Sequence, residues 1–326
     1  GSDFITKNII GFIASLGVFL YSMHLMSTSL DTLANDKLEN ILYKLSSNKY
    51  LGVITGTAIT AIIHSSSATT IILIGLLNSH LISLNQATWI ILGANIGTTV
   101  TGLMIALDLG QSAIYLCVLG LLLMFLKNKI AYLGRVLMAL GLIFLAMDSM
   151  AVALAPLQTS PYFINMFGHL DNPLTAILVG TVFTALIQSS TASVGVLQTI
   201  YQKGLISFAM ATNVIYGQNI GTCITAVLAS LNGDRSSKRL SAIHILINVL
   251  GTIIFVILAK FIPLVSFIAS LTPNYMMQIA YMHTFFNIIS TIILLPFDNL
   301  LIYLANKVIP LSKQEVTYAH KPSRLY

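Results

Sequence analysis

The sequence predicts an all-α polytopic membrane protein with two inverted-topology repeats, each holding a re-entrant helical hairpin and a discontinuous transmembrane helix. Composition, an internal repeat and the distribution of positive charge predict this fold. The 326 residues are 56% hydrophobic and only 8% charged, with a mean hydropathy of +0.88, whereas soluble domains are about a quarter charged. Many runs reach the roughly 20 apolar residues that a membrane span needs. The net charge of +6 therefore belongs to membrane loops, and no nucleic-acid partner is expected.

The chain repeats itself at a constant offset of 124 residues. Residues 51–107 align with 175–231 without a gap and with 22 identities in 57 positions, many of them polar residues or glycines. The alignment extends upstream through Gly17 and Gly141. Each copy is predicted to contain a helix, an interrupted segment and two further helices.

Seven segments are long and apolar enough to be read as full spans. They are residues 9–30, 84–107, 111–126, 132–155, 207–231, 239–262 and 278–305. Two further segments, 51–77 and 174–201, are interrupted by the polar stretches HSSS and QSST. Each could cross once, or enter as two half-length arms and leave on the same side.

The positive-inside rule favours the hairpin interpretation of both interrupted segments. Two re-entrant hairpins divide the Lys and Arg residues 13 to 3 between the two sides, whereas two full crossings divide them 10 to 6. The hairpins are then separated by three crossings, so the second copy is inverted relative to the first. Inverted repeats with broken helices are typical of secondary transporters.

Half-helices that begin inside the membrane predict an anion site. Their first backbone NH groups lack partners, and the helix dipole places partial positive charge there. Hydroxyls beside these NH groups suit a tetrahedral oxyanion. The candidate residues are Ser65, Ser66, Ser67, Ser189, Ser190 and Thr191.

The segments LGANIGTTVTG and YGQNIGTCITA, which follow the hairpins, predict a cation site. Their glycines are expected to let the helix unwind, so that carbonyls and polar side chains surround a small hard cation. The candidates are Asn95, Thr98, Asn219 and Thr222. No Lys or Arg lies deep in a span to balance an anion, so a bound cation is expected to do so.

The two motifs together resemble those of the type II sodium-dependent phosphate cotransporter family, in a bacterial form. The resemblance runs from about residue 9 to 305. It implies a symporter, not an enzyme, that imports inorganic phosphate with sodium as the co-transported ion and uses no organic cofactor. It adds Gln188 near sodium and, from the stretches HILIN and HTFFN, Asn248 and Asn287 as further sodium ligands.

Some residues depart from the family pattern. His64 stands where the first motif of the family has Gln, and a histidine can change charge near neutral pH. Thr191 replaces the third serine of the second motif. Ile245 and Thr284 stand where electrogenic members carry Asp, so the larger sodium stoichiometry is not implied.

The predicted organisation has five parts. They are an N-terminal tail with a Gly-Ser cloning scar (1–8), a first transport repeat (9–126), a second, inverted repeat (132–262), an additional transmembrane helix (278–305) and a cytoplasmic tail (306–326). The protein is placed in the bacterial plasma membrane with its N-terminus outside. The oligomeric state stays open.

Three alternative functions can be distinguished by chemistry. An intramembrane serine hydrolase needs Ser and His within hydrogen-bond reach and an oxyanion hole, and it does not explain the duplication. An anion channel does not need cation sites. A sodium symporter of another anion, a carboxylate or sulfate, shares all the predicted features and is the main alternative.

Overall fold

The structure is a computed structural model, and its described part consists of helices and turns without a β-strand. The described residues are 2–34, 44, 47–64, 66–78, 80–107, 112–154, 156, 160–161, 165, 168–187, 190–231 and 233–313. Fifteen α-helices in this part are numbered in chain order. They are α1 Ser2–Ala34, α2 Lys49–Ile63, α3 Ser66–Asn78, α4 Leu84–Gly97, α5 Thr99–Ala106, α6 Ala113–Met124, α7 Lys129–Leu154, α8 Pro173–Ile187, α9 Ser190–Gln202, α10 Phe208–Gly221, α11 Ile224–Ser230, α12 Arg235–Phe261, α13 Leu264–Ser270, α14 Tyr275–Leu294 and α15 Asp298–Val308.

Five helical segments are long and apolar enough to cross a membrane. They are Asp3–Leu30, Leu84–Ala106, Lys129–Ala153, Arg235–Phe261 and Tyr275–Val308. Together with the absence of strands from the described residues, they confirm the prediction of an all-α polytopic membrane protein. The segment predicted at 111–126 is the shorter apolar helix α6.

Both interrupted segments fold back on themselves. The hydroxyl oxygens of Thr60 in α2 and Thr69 in α3 lie 2.9 Å apart, and in the second copy Thr184 Oγ1 donates to Ser193 Oγ at 2.7 Å. Residues nine apart in one continuous helix are separated by about 13 Å along its axis. The chain therefore reverses within each segment. We call α2 with α3 the first hairpin, and α8 with α9 the second hairpin.

The first hairpin turns at His64, whose backbone is left-handed with φ 53° and ψ 32°. Helix α2 ends there, since the His64 NH still donates to Thr60 O at 2.8 Å. A left-handed residue stops a helix and redirects the chain.

Glycines let the first arm of each hairpin approach the next helix closely. A Cβ on Gly56 of α2 would lie 2.1 Å from Ile90 O of α4, and one on Gly180 of α8 would lie 2.2 Å from Val214 O of α10. The same holds in the opposite direction for Gly93 against Val53 O, Gly97 against Thr57 O, Gly217 against Ile177 O and Gly221 against Thr181 O. Every contact has its counterpart 124 residues later, so the two copies pack alike.

The helices unwind less around the Asn-Ile pairs than the sequence predicts. The interruption between α4 and α5 is the single residue Thr98, which keeps helical angles of φ −57° and ψ −30°. In the second copy only Thr222 and Cys223 separate α10 from α11. The glycines serve the close helix contacts instead, because only a hydrogen fits against the facing carbonyls.

The open ends of the two hairpins, which lie opposite their tips, are near opposite ends of α12. Where α12 begins, Asn78 at the end of α3 accepts hydrogen bonds from Asp234 N at 3.3 Å and Ser237 Oγ at 2.5 Å. Where α12 ends, α13 follows, and Ile268 of α13 packs in one cluster with Ile206, just after α9, and Leu170, just before α8. We call these end A and end B.

The last predicted span is divided near end A. Helix α14 stops at Leu294, and Pro296 lies in a 3₁₀ turn, Leu295–Phe297, before α15. Proline removes a backbone donor and disfavours helical geometry in the residue before it. Helix α15 is held by Trp89 Nε1, which donates to Asp298 Oδ2 at 2.7 Å.

Candidate functional site

The second arm of each hairpin begins at a buried serine. Ser66 is the first residue of α3 and Ser190 the first residue of α9, and both are buried, as is Thr191. The first NH groups of these two 13-residue helices therefore lie inside the protein. Of the other predicted anion-site residues, Ser65, Ser189 and the side chain of Ser67 lie outside the described residues, as does the predicted sodium ligand Gln188.

The asparagines of the two Asn-Ile pairs are buried and meet polar partners from the later helices. Asn95 Oδ1 lies 3.2 Å from His244 Nε2 of α12. Its counterpart Asn219 accepts through Oδ1 from Asn287 Nδ2 of α14 at 3.3 Å. The structure thus joins three of the predicted sodium ligands to polar partners in the interior, Asn95 to His244 and Asn219 to Asn287.

Asn248 is placed differently from Asn287. Its Nδ2 donates to Cys223 Sγ at 3.3 Å and to His244 O at 3.0 Å. Because Cys223 follows Thr222 and its thiol donates to Asn219 O at 3.8 Å, Asn248 reaches the second Asn-Ile segment through sulfur.

The hydroxyls of Thr98 and Thr222 are used within their own helices. They donate to Ala94 O and Gln218 O, each at 2.8 Å, which is the common pattern for Thr in an apolar helix. Their oxygen lone pairs can still accept, so a role as neutral ligands is compatible with this bonding.

The tip of the first hairpin contacts α5. His64 Nδ1 lies 2.7 Å from the buried Thr101 Oγ1. The neighbouring Gly102 faces α9, since a Cβ there would lie 3.5 Å from Val194 Cγ1. Val194 is one turn after Ser190, so α5 lies between the first tip and the second serine arm. Among the described residues the partner of His64 Nδ1 is thus a threonine and not a serine.

Gln218, the neighbour of Asn219, was missed by the sequence analysis. Its Nε2 donates to Ser193 O at 2.9 Å and to Ser193 Oγ at 2.8 Å, so it fastens the second hairpin to α10. The first copy has Ala94 at this position. A signal existed in the sequence, because a glutamine in a span usually faces the bundle interior.

Several polar atoms of this region point into the interior without a partner among the described residues. They are Gln218 Oε1, His244 Nδ1 and His283 Nδ1. Of these atoms Gln218 Oε1 is a neutral oxygen, the type of ligand that a hard cation prefers, as are the asparagine and threonine oxygens. The described residues contain no group of three or more His, Cys, Asp or Glu that could hold a metal ion.

No cationic side chain is buried in the middle of the described bundle. Among the described residues the buried charged side chains are Arg239 and Asp298, and both lie at end A. Arg239 there donates to the carbonyls of Ile309 and Pro310, each at 2.9 Å. An anion near the hairpin tips would meet NH groups and hydroxyls, not a fixed positive charge.

Comparison with known proteins shows which proteins this chain resembles. YqeW, an uncharacterized protein of Bacillus subtilis, is 31% identical over 93% of this chain and 98% of its own length. A putative inorganic phosphate export protein, YjbB of Salmonella typhimurium, is 26% identical over 91% of this chain. The chain spans only 55% of YjbB.

The human sodium-dependent phosphate transport protein 2B is 29% identical over a shorter stretch, 33% of this chain and 16% of its own length. No solved structure matches the chain. The Na+/Pi-cotransporter family matches residues 18–152 and 164–282, which is most of the sequence. It is a family of transporters, not of enzymes. The resemblance seen in the motifs is confirmed, and the chain belongs to the Na+/Pi-cotransporter family.

Proposed function

We propose that this protein is a sodium-coupled symporter that imports inorganic phosphate by alternating access. The observation that carries the proposal is the duplicated arrangement of the interior. Each copy supplies a half-helix that begins at a buried serine, Ser66 or Ser190, and a buried asparagine, Asn95 or Asn219, held by a later helix. Family membership and the names of the relatives support phosphate and sodium as the substrates.

Phosphate binds between the two hairpin tips in this proposal. The oxyanion accepts hydrogen bonds from the first NH groups of α3 and α9 and from the hydroxyls of Ser65, Ser66, Ser67, Ser189, Ser190 and Thr191. Helix N-termini attract anions through these donors and through the helix dipole.

Sodium supplies the positive charge that the described interior lacks. Neutral oxygens of Asn95, Thr98, Asn219, Thr222, Asn248, Asn287 and Gln188 surround it in the proposed site. Sodium and phosphate then favour each other's binding, because each ion reduces the electrostatic cost of burying the other.

The two repeats, 9–126 and 132–262, are proposed to be inverted in the plasma membrane. The opening of the hairpins toward ends A and B supports this arrangement. The distribution of positive charge supports it too. Arg235 and Arg239 lie at end A, whereas at end B Lys203 follows α9 and Lys260 lies in the last turn of α12. By the positive-inside rule end A faces the cytoplasm, with the C-terminus, and the N-terminus lies outside.

The direction of transport follows the ion gradients rather than the protein alone. An inward sodium gradient drives a symporter to import phosphate. One relative, YjbB of Salmonella typhimurium, is named as a putative inorganic phosphate export protein, so phosphate efflux is the competing function.

Labelled phosphate flux in proteoliposomes tests the proposal. Uptake is expected with an inward sodium gradient and not when choline replaces sodium. Vesicles preloaded with phosphate provide the second arm, and efflux that ignores sodium on either side would contradict symport. Competition with sulfate and carboxylates at equal concentration distinguishes phosphate from the alternative anions.

A further inference from the structure

We propose that Gln198 is a positioning residue that ties the serine-bearing arm of the second hairpin to the first copy of the repeat, so that the two hairpin tips move together. This proposal rests on the transport function proposed above. It concerns a residue that the motifs do not include and that lies outside the set of proposed ion ligands.

Gln198 lies on α9, two turns after Ser190, with its side chain wholly buried. Its Nε2 donates to Gly102 O of α5 at 3.0 Å and to Met276 O of α14 at 3.1 Å. Both hydrogens of one amide are therefore committed to two other helices. One of these helices, α5, belongs to the first copy of the repeat.

The link continues to the tip of the first hairpin. Gly102 is bonded in the chain to Thr101, whose hydroxyl lies 2.7 Å from His64 Nδ1. A short path thus runs from His64 through Thr101 and Gly102 to Gln198, and along α9 to Ser190. A displacement of either tip pulls on the other through α5.

Stability does not account for a glutamine at this position. Gln198 Oε1 is buried without a partner among the described residues, and an unpaired buried acceptor costs free energy. The corresponding residue of the first copy is Ile74, which is also buried. An apolar side chain therefore fits the equivalent place in the fold without that cost.

Gln278 of α14 is a second buried glutamine, and its hydrogen bonds differ from those of Gln198. Its Nε2 also donates to two carbonyls, Ala269 O and Thr272 O, but its Oε1 accepts from the Tyr201 hydroxyl. All its polar atoms are paired, and its contacts stay near end B. Gln278 therefore serves as a matched control.

The test compares Gln198→Leu and Gln198→Met with the unaltered protein in proteoliposomes. The variants are expected to melt at the same or a higher temperature, because the unpaired acceptor is removed. Sodium-driven uptake of labelled phosphate is expected to fall at least tenfold. Flux of radioactive sodium without phosphate is expected to rise, since the tips no longer move together.

Gln278→Leu is expected to behave in the opposite way. It leaves Tyr201 Oη and two carbonyls without their partner, so its melting temperature falls, while the ratio of sodium to phosphate flux in the folded protein stays unchanged. If both Gln198 variants keep phosphate uptake within twofold and show no sodium leak, the proposal is wrong. A loss of uptake that comes with a lower melting temperature also overturns it, because that result indicates a structural role.

Hydrogen exchange separates this proposal from the proposed function. Gln198→Leu is expected to raise exchange both in peptides of α9 and in peptides that cover residues 60–70, although these are far apart in sequence. If the unaltered protein transports no phosphate, the proposed function fails, yet the exchange result still decides whether Gln198 links the two tips. Increased exchange in α9 alone would refute the link.

Discussion

At the residue scale, Ser66 and Ser190 matter most to the proposed anion site, because each is the buried first residue of a half-helix. Replacing either with Ala removes a hydroxyl donor and leaves the helix N-terminus intact. A hydrogen bond to a charged group contributes about 1.5 to 3 kcal/mol. We expect the phosphate concentration for half-maximal uptake to rise roughly 10- to 100-fold in Ser66→Ala and in Ser190→Ala.

Thr212→Val is the control for these two variants. The Thr212 hydroxyl is buried on α10 and donates to Phe208 O of its own helix at 2.9 Å. Its loss is expected to leave phosphate affinity unchanged. Equal effects in all three variants would mean that the serines act through general packing and not through the substrate.

The asparagine pair of α10 and α14 predicts an effect on sodium. In Asn219→Ala the amide oxygen that accepts from Asn287 is lost, and a neutral cation ligand with it. A loss of about 1 to 2 kcal/mol of sodium-binding free energy corresponds to a roughly 5- to 30-fold higher sodium concentration for half-maximal uptake. Sodium titration of uptake measures this shift. Asn85→Ala, which removes an exposed bond to Asn299 at end A, should not show it.

At the element scale, the close approach of α8 to α10 depends on the absence of a side chain. A Cβ on Gly217 would lie 1.9 Å from Ile177 O, so Gly217→Ala must push the two helices apart. Overpacking of this kind costs about 1 to 3 kcal/mol. We expect a lower melting temperature of the purified protein and weaker sodium binding, because Asn219 lies two residues further along α10.

Gly75→Ala, in the second arm of the first hairpin, provides the comparison. No atom lies within 4 Å of a Cβ built there, and Ala is a better helix former than Gly by about 1 kcal/mol. The melting temperature should stay the same or rise. A drop equal to that of Gly217→Ala would show that helix contacts are not the reason for the glycines.

The elements also show how far the sequence alone could lead. The two hairpins were predictable, because polar stretches interrupt both copies at matched positions and the charge count favours re-entry of both segments. The role of the glycines was not predictable. Glycines spaced four residues apart in an apolar helix indicate either flexibility or close helix packing, and only the position of the facing carbonyls distinguishes these two roles. The proline at 296 was a clear local signal for the division of the last span. It was overlooked because residues 278–305 are otherwise mostly apolar.

The candidate site divides in the same way. Asn95 and Asn219 could be selected from the repeat, since both copies have the same residue. Repeat symmetry could not select Gln198 and Gln218, because the first copy has Ile74 and Ala94 there; their only signal was a glutamine within an apolar span. Residues at which the copies differ are invisible to an argument from symmetry, and their partners lie on helices far away in sequence.

At the scale of the whole molecule, the proposed inverted topology places ends A and B on opposite sides of the membrane. Lys203 follows α9 at end B, whereas Lys307 lies in the last turn of α15 at end A. Lys203→Cys is expected to react with an impermeant maleimide in intact cells. Lys307→Cys should react only after permeabilisation.

The unaltered protein serves as the background for this labelling, since Cys223 is buried and Cys117 half-buried. Labelling of both positions from the same side would be incompatible with hairpins that open to opposite faces. It would instead require one interrupted segment to cross the membrane.

Phosphate binding to the purified protein decides whether phosphate and sodium occupy one shared site, as proposed. The Kd for phosphate is measured at constant ionic strength while choline replaces sodium in steps. Reciprocal coupling predicts a Kd at least about tenfold lower in sodium, and a smaller difference in Asn219→Ala. A phosphate Kd that is the same in sodium and in choline would contradict the shared site.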